Sequence, residues 1–336
     1  MSHRFLLVRL GSLGDVIHAI PTAAALRARF PEARIDWLVD PRYVPLLEMV
    51  RGLDSRIPMN PRRVGQTAAT VRDLRRVGYT AVIDLQGLLK SAVLARAVGA
   101  ERTIGFAGAH LRERTAGPFY THRVAPGAAH VIFKNLALLE PLGGREMRAA
   151  FPLEIPHSPA SDEARARVNG ESYALINPGA AWPNKRWPPD RFAALAALIR
   201  ERFGLRSLVL WGPGEERLAG EVARDSNGSA VLAPATSITD LFSVARHARL
   251  VVSGDTGPLH IAGAVGTPLV ALFGPTRAER NGPWSAADVV VSRTDGCACL
   301  YRRRCRRADP CIDEIQVGDV GEAIERRLSI PPQPPA

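Results

Sequence analysis

The chain reads as an α/β protein made of two Rossmann-like domains in tandem. Three observations predict this. Short apolar runs alternate with helix-patterned segments through both halves, and a proline-rich stretch, Phe151 to Ser161, interrupts the alternation. The 336 residues are also enough for two domains that each bury a core.

The elements follow in order. In the first half, strands are expected at Phe5–Leu10, Ile35–Val39 and Ala81–Leu85, where runs of Val, Ile, Leu and Phe stop at glycine, proline or a polar turn. Weaker strands fall near Arg102–Gly105 and Arg123–Val124, and helical spacing marks Val16–Arg29, Val71–Arg76, Leu88–Val98 and His130–Leu142. After the proline-rich linker the pattern restarts. Strands are expected at Tyr173–Ile176, Ser207–Leu210, Leu250–Ser253 and Pro268–Phe273, with helices at Asp190–Phe203, Glu215–Asp225, Ile238–Ala248 and Pro258–Val265. Near-continuous apolar strands alternating with helices imply parallel sheets covered on both faces, with ligands at the carboxyl ends of the strands and a cleft between the two domains. Residues 330–336 are too rich in proline to pack and are expected to be disordered.

Composition is that of a soluble globular enzyme: 46% hydrophobic and 23% charged residues, with no apolar stretch near the roughly 20 residues that span a bilayer. The short apolar run at the N-terminus, interrupted by Arg9, Gly11 and Asp15, does not fit a signal peptide, so a cytoplasmic location is expected. The net charge of +11 is uneven. Residues 1–160 carry 22 Lys and Arg against 13 Asp and Glu, whereas the remainder carries 22 against 20. Arginine-rich composition accounts for an excess but not for this asymmetry, which points to an anionic partner of the first half: a phosphorylated substrate, acidic lipid or nucleic acid. Aromatic residues are few (6%) and form no stacking platform among the basic ones, which argues against nucleic acid.

The loops after the strands carry the chemistry. Gly11-Ser12-Leu13-Gly14-Asp15 breaks the first strand into a helix start, and Asp15 there is either a helix cap or a catalytic base. The glycine spacing is a truncated dinucleotide fingerprint; with Asp40 ending the second strand it leaves a nucleotide-dependent dehydrogenase as one reading. Asp84-Leu-Gln86-Gly-Leu-Leu-Lys90-Ser91 ends another strand and brings Gln86 and Lys90 near Asp15 if the two strands are neighbours. Arg62, Arg63, Arg112 and Arg114 lie in loop-like segments of the same half.

In the second half, Gly254-Asp255-Thr256-Gly257-Pro258 follows a strand and opens a helix, with Asp255 or Thr256 as the cap and His260 one turn on. Asn177-Pro-Gly-Ala-Ala-Trp-Pro-Asn-Lys185-Arg-Trp187 supplies a glycine and one of three lysines, a mobile point charge suited to a diphosphate. Glu215, after Trp211-Gly-Pro-Gly, either binds ribose hydroxyls or caps the next helix. Cys297, Cys299, Cys305 and Cys311 fall within fifteen residues. Their spacing matches no common zinc template, so metal binding is kept only as a minor alternative to free thiols.

Taken together, Gly11 to His18, Asn184-Lys-Arg-Trp187 and Val252 to His260 running on to Gly274-Pro-Thr276 resemble the lipopolysaccharide heptosyltransferases of glycosyltransferase family nine over nearly the whole chain. Asp84 to Ser91 and Arg112-Glu-Arg-Thr115 look most like heptosyltransferase I. The resemblance implies a GT-B fold: an acceptor-binding domain over residues 1–155, a nucleotide-sugar domain over 165–315, and a helix within 316–329 packing back toward the first domain. It implies an inverting transfer of heptose from ADP-heptose to the Kdo of Kdo-lipid A, with no cofactor or metal required, and a peripheral place on the anionic inner face of the inner membrane. Asp15 would be the base. Lys185, Glu215, Asp255, Thr256, Gly257 and His260 would bind the donor. Ser12, Gly14, Arg62, Arg63, Gln86, Lys90 and Arg114 would bind the acceptor. The chain departs from heptosyltransferase I in having Ala180 and Ala181 before Lys185, Arg277 after Thr276, and the cysteine cluster. A family-nine enzyme adding a later heptose or another sugar is the alternative.

Overall fold

The computed structural model describes residues 3–60, 64–144, 148–295, 297 and 299–331, without the side chains of Val64 and Gln66. Arg62, Arg63 and most of the proline-rich tail lie outside the described residues. The chain divides into two compact units, the first ending at Glu154 and the second starting at Ile155.

The first unit runs β1 (Arg4–Val8), α1 (Leu13–Ile17), α2 (Ile20–Arg29), β2 (Arg34–Val39), α3 (Val44–Glu48), β3 (Ser55–Pro58), α4 (Val64–Val77), β4 (Ala81–Asp84), α5 (Leu89–Ala97), β5 (Arg102–Phe106), β6 (His122–Val124) and α6 (Val131–Ala137). Its strands form one parallel sheet in the order β3-β2-β1-β4-β5-β6. The second unit runs α7 (Pro159–Arg167), β7 (Tyr173–Asn177), α8 (Pro189–Phe203), β8 (Arg206–Val209), α9 (Glu216–Asp225), β9 (Ala230–Leu232), α10 (Ile238–His247), β10 (Leu250–Gly254), α11 (Gly257–Ala264), β11 (Leu269–Phe273), α12 (Ala278–Asn281), β12 (Val289–Ser292) and α13 (Val317–Leu328). Its sheet, also parallel, has the order β12-β11-β10-β7-β8-β9. Counted from its own first strand, each sheet has the Rossmann order 3-2-1-4-5-6. Strands β4, β7, β10 and β11 are buried throughout, because helices cover both faces.

Prolines explain where the expected helices break. The helix expected over Val16–Arg29 is two. Pro21 has no N–H, and its ring would clash with the carbonyl of Ile17, so α1 stops and α2 restarts. Pro141 divides His130–Leu142 the same way, leaving α6 and a separate 3-10 turn, Glu140–Leu142. The pattern missed the short edge strands β3, β9 and β12, and it missed helices α3, α7 and α12. Helix α7 begins inside the proline-rich linker, with Pro159 at a position where its missing N–H costs nothing.

Helix α13 was expected to return to the first domain. Its apolar face lies in the core of the second: Val320, Ala323 and Ile324 are fully buried with Trp187, Ile199 and Leu272, and the helix packs on α8, β11 and β12. Spacing at positions 320, 323, 324 and 327 puts Arg327 on the same face, where it meets buried Asp288 at 2.7 Å. Ile324→Ala should therefore lower the stability of the second unit by about 2–5 kcal/mol. Urea unfolding followed by that unit's tryptophans would measure it, and an unchanged midpoint would contradict the packing.

Candidate active site

In the first unit, β1 and β4 lie side by side, with Val8 opposite Asp84, so the loops that follow them share one edge. Leu10 N–H donates to Gln86 Oε1 at 3.1 Å. Gln86 is buried, which gives it a structural duty in addition to the acceptor role expected of it. Gly11 has no room for a side chain: a Cβ there would come within 2.9 Å of the Tyr43 ring. Asp15, in the first turn of α1, accepts from Ser12 N–H at 3.1 Å and Ser12 Oγ at 3.0 Å, so it does tie the helix start. Its other oxygen meets Arg9 Nη2 at 2.5 Å, and Arg112 Nη1 stands 4.0 Å from the carboxylate. The side chain of Asp15 keeps 25% of its exposure. Burial pushes the carboxyl up, but Arg9, Ser12 and Arg112 together outweigh it and hold Asp15 below the usual carboxylate range.

Beneath this edge, Asp84 is fully buried and accepts from Tyr120 Oη at 2.7 Å, Ser91 Oγ at 2.8 Å and Gln86 N–H at 2.8 Å. Burial pushes both Asp84 and Tyr120 up from their ordinary values. Gly14 lies in the first turn of α1 beside Asp15. Lys90, on the first turn of α5, and Arg114, at the head of the 3-10 turn Arg114–Phe119, are exposed. Among the described residues, the ion pairs of Asp15 go to Arg9 and Arg112 instead. Arg9 escaped the sequence reading. Its signal was a lone arginine in an apolar strand run, where a buried charge requires a counter-charge.

In the second unit, β7 and β10 are neighbours and Asn177 lies opposite Ser253. Asn177 Nδ2 donates to Ser253 Oγ (3.1 Å), Thr256 Oγ1 (2.9 Å) and the Gly179 carbonyl (3.2 Å), binding the two loops together. Thr256 and Asp255 were expected as alternative caps of α11. Neither side chain caps it, because Thr256 is engaged by Asn177 and Asp255 by three other groups. Asp255 Oδ2 meets Lys185 Nζ at 2.5 Å and accepts from Thr276 Oγ1 at 2.8 Å, while His260 Nε2 lies 3.6 Å from Oδ1. Burial alone would raise the Asp255 carboxyl, yet His260 and Lys185 overturn that and hold it well below the usual range. Lys185 Nζ also sits 4.6 Å from the Trp182 ring centroid. Gly257 and Pro258 open α11 next to this cluster. Thr276 is a contact that the sequence reading noted only as part of a motif.

Glu215 stands at the start of α9 without capping it. Its Oε2 accepts from Gly212 N–H at 3.2 Å, and a Cβ at Gly179 would come 2.2 Å from that oxygen, so glycine is what lets the two loops meet. Cys297 Sγ lies 3.5 Å from both Cys299 and Cys311, and Asn184 Nδ2 approaches Cys299 Sγ at 3.7 Å. All four cysteines are free thiols. Burial and the neighbouring sulfurs push Cys311 up to about 12, and among the described residues no group of three or more His, Cys, Asp or Glu is arranged to hold a metal ion.

Two Rossmann-like domains, one with a paired carboxylate and the other with a lysine, glycines and a helix start at the carboxyl ends of the central strands, define a glycosyltransferase of GT-B fold. The comparisons agree with that class. Glycosyltransferase family 9 (heptosyltransferase) matches residues 67–309. Lipopolysaccharide heptosyltransferase 1 of Pseudomonas aeruginosa is 31% identical over 316 residues, covering 90% of this chain and 87% of that protein. Lipopolysaccharide heptosyltransferase 3 of Escherichia coli is 26% identical, covering 94% and 96%. The structure of E. coli heptosyltransferase WaaC with ADP has the same fold, with a TM-score of 0.74, 23% identity, and 97% and 100% of the two chains covered. The chain belongs to glycosyltransferase family 9. Among the described residues, no helix is long and apolar enough to cross a membrane.

The Asp255 cluster makes a prediction about pH. A carboxylate held below its unfolded value, about 3.9, adds stability above that pH and loses it as the pH falls through its folded value. Asp255→Asn should be less stable at neutral pH, because Lys185 loses its partner, and should lose less stability on acidification below about pH 4. Thermal melts across pH 3–7 would measure this; parallel curves for the two proteins would contradict the pairing.

Proposed function

We propose that this enzyme moves heptose from ADP-heptose to the Kdo of lipopolysaccharide, as a heptosyltransferase I does, with inversion at the anomeric carbon. Asp15 takes the proton of an acceptor hydroxyl as that oxygen bonds to the anomeric carbon and the bond to the ADP oxygen breaks. The sugar passes through an oxocarbenium-like state, as in glycoside hydrolysis. Charge develops on the leaving diphosphate, where Lys185 and the N–H groups at the start of α11 are placed to stabilise it without a metal or cofactor.

The observation that carries this is the division of chemistry. The partly exposed carboxylate, Asp15, lies in the loop and helix start after a central strand of one sheet, and the largely but not fully buried lysine, Lys185, lies in the loop after a central strand of the other. Glu215, Asp255, Thr256, Gly257 and His260 complete the proposed donor side. Ser12, Gly14, Gln86, Lys90 and Arg114, with Arg62 and Arg63, complete the proposed acceptor side, joined by Arg112 on the strength of its approach to Asp15. The similarity to an E. coli heptosyltransferase 3 supports a second reading in which a later heptose is added. A panel of nucleotide sugars and truncated lipopolysaccharide acceptors separates the two.

Asp15→Asn should lose about 10²–10⁴-fold in turnover while keeping its affinity for ADP, since general-base catalysis contributes on that order. Turnover near wild type would remove Asp15 from this role. Because the first half is basic and the acceptor is a lipid, we also place the enzyme at the anionic inner face of the inner membrane. Co-sedimentation with vesicles should rise with anionic lipid content and fall with salt, and equal binding to neutral vesicles would contradict it.

A further inference from the structure

We infer that Arg9 is the positioning residue of the base, holding Asp15 so that Oδ1 is the oxygen that receives the acceptor's proton; this rests on the proposed role of Asp15. Arg9 follows β1 directly and its own backbone is fixed. Its N–H donates to the Leu38 carbonyl at 3.2 Å, and its carbonyl accepts from Trp37 Nε1 at 3.2 Å. The side chain, 4% exposed, forks. Nη1 donates to the carbonyl of Leu85, at the end of β4, and Nη2 meets Asp15 Oδ1 at 2.5 Å. One rigid guanidinium thus fixes the carboxylate of α1 relative to two adjacent strands, a task that a lysine's single ammonium cannot duplicate.

The oxygens of Asp15 are then distinguishable. A carboxylate offers about four lone-pair directions. Oδ2 uses two, on Ser12 N–H and Ser12 Oγ, and Oδ1 uses one, on Arg9. The remaining direction is on Oδ1, so the attacking hydroxyl approaches there. The charged groups facing Asp15 are Arg9, from the end of β1, and Arg112, from the loop after β5. Glu113, next to Arg112, accepts from Leu89 N–H at 2.7 Å, and His18, on the turn after α1, packs edge-on against His130. Arg9 therefore opposes the effect of burial, which by itself pushes the carboxyl up, and keeps the base ionised at lower pH.

The test compares wild type, Arg9→Lys and Arg9→Met. It reads the pH profile of kcat/KM, and independently the titration of Asp15 by NMR of protein labelled with ¹³C-aspartate, assigned through Asp15→Asn. Losing the guanidinium raises the pH at which Asp15 ionises. In Arg9→Met the Asp15 titration and the acid limb of the profile should both move up by about 1–3 pH units, with kcat falling at least about tenfold and the KM for ADP-heptose within about twofold. Arg9→Lys keeps the charge and should recover part of the titration shift but not the full kcat. Circular dichroism and ADP binding establish that each variant is folded, and Arg9→Lys carries the test if Arg9→Met is not. An unmoved Asp15 titration, or full activity in both variants, would overturn the inference. If Asp15→Asn itself were active, the base role would fail, while the NMR titration would still decide whether Arg9 holds Asp15.

Discussion

In each sheet the chain builds outward from its first strand, then crosses back to add the fourth strand on that strand's other side. At this switch point neighbouring strands send their connections to opposite faces, which opens a crevice at the carboxyl edge where backbone N–H groups are not consumed by a passing loop. The rest of the molecule depends on that constraint. In the first unit it puts the loop after β1 beside the loop after β4, and the Leu10 N–H bond to Gln86 locks them. In the second it puts the loop after β7 beside the loop after β10, and the three bonds of Asn177 do the locking.

The two switch points are furnished with different electrostatics. Asp15 is paired with an arginine, whose planar fork holds a fixed direction and grips the Leu85 carbonyl at the same time. Asp255 is paired with Lys185, a compact ammonium on a flexible stem, and Thr276 and His260 hold the same carboxylate. In the proposed mechanism, the rigid partner suits a base that presents one oxygen, and the mobile partner suits a carboxylate that releases its cation to the donor. Breaking either buried pair by truncation leaves an uncompensated charge, so variants that keep the charge say more than alanines do.

The central strands, their glycine turns and the tandem Rossmann organisation were legible because apolar runs ending in glycine or aspartate leave few other options. The placement of Asp15, Lys185 and Asp255 in the loops after β1, β7 and β10 was legible in the same way. Other features were not legible for physical reasons. Ser55–Pro58 and Ala230–Leu232 are edge strands of four and three residues, too short to carry a period. The packing of α13 on the second core depends on which sheet offers a vacant apolar face, which spacing along the helix does not record. The pairing of Arg9 with Asp15 and of Thr276 with Asp255 joins residues on separate elements, so only the sheet order reveals it. The clustered cysteines were legible as a cluster, and the structure adds that three of the sulfurs touch beside Asn184, whose neighbour is Lys185.

The central claim is that a base on one domain and a cation on the other carry out a single inverting displacement. Its most direct test is the anomeric configuration of the product formed from a β-configured ADP-heptose donor and Kdo-lipid A, read by NMR coupling constants and nuclear Overhauser contacts across the new linkage. An α-linked heptose on Kdo is the expected result. A β-linked heptose, or a product formed only from another nucleotide sugar, would contradict it.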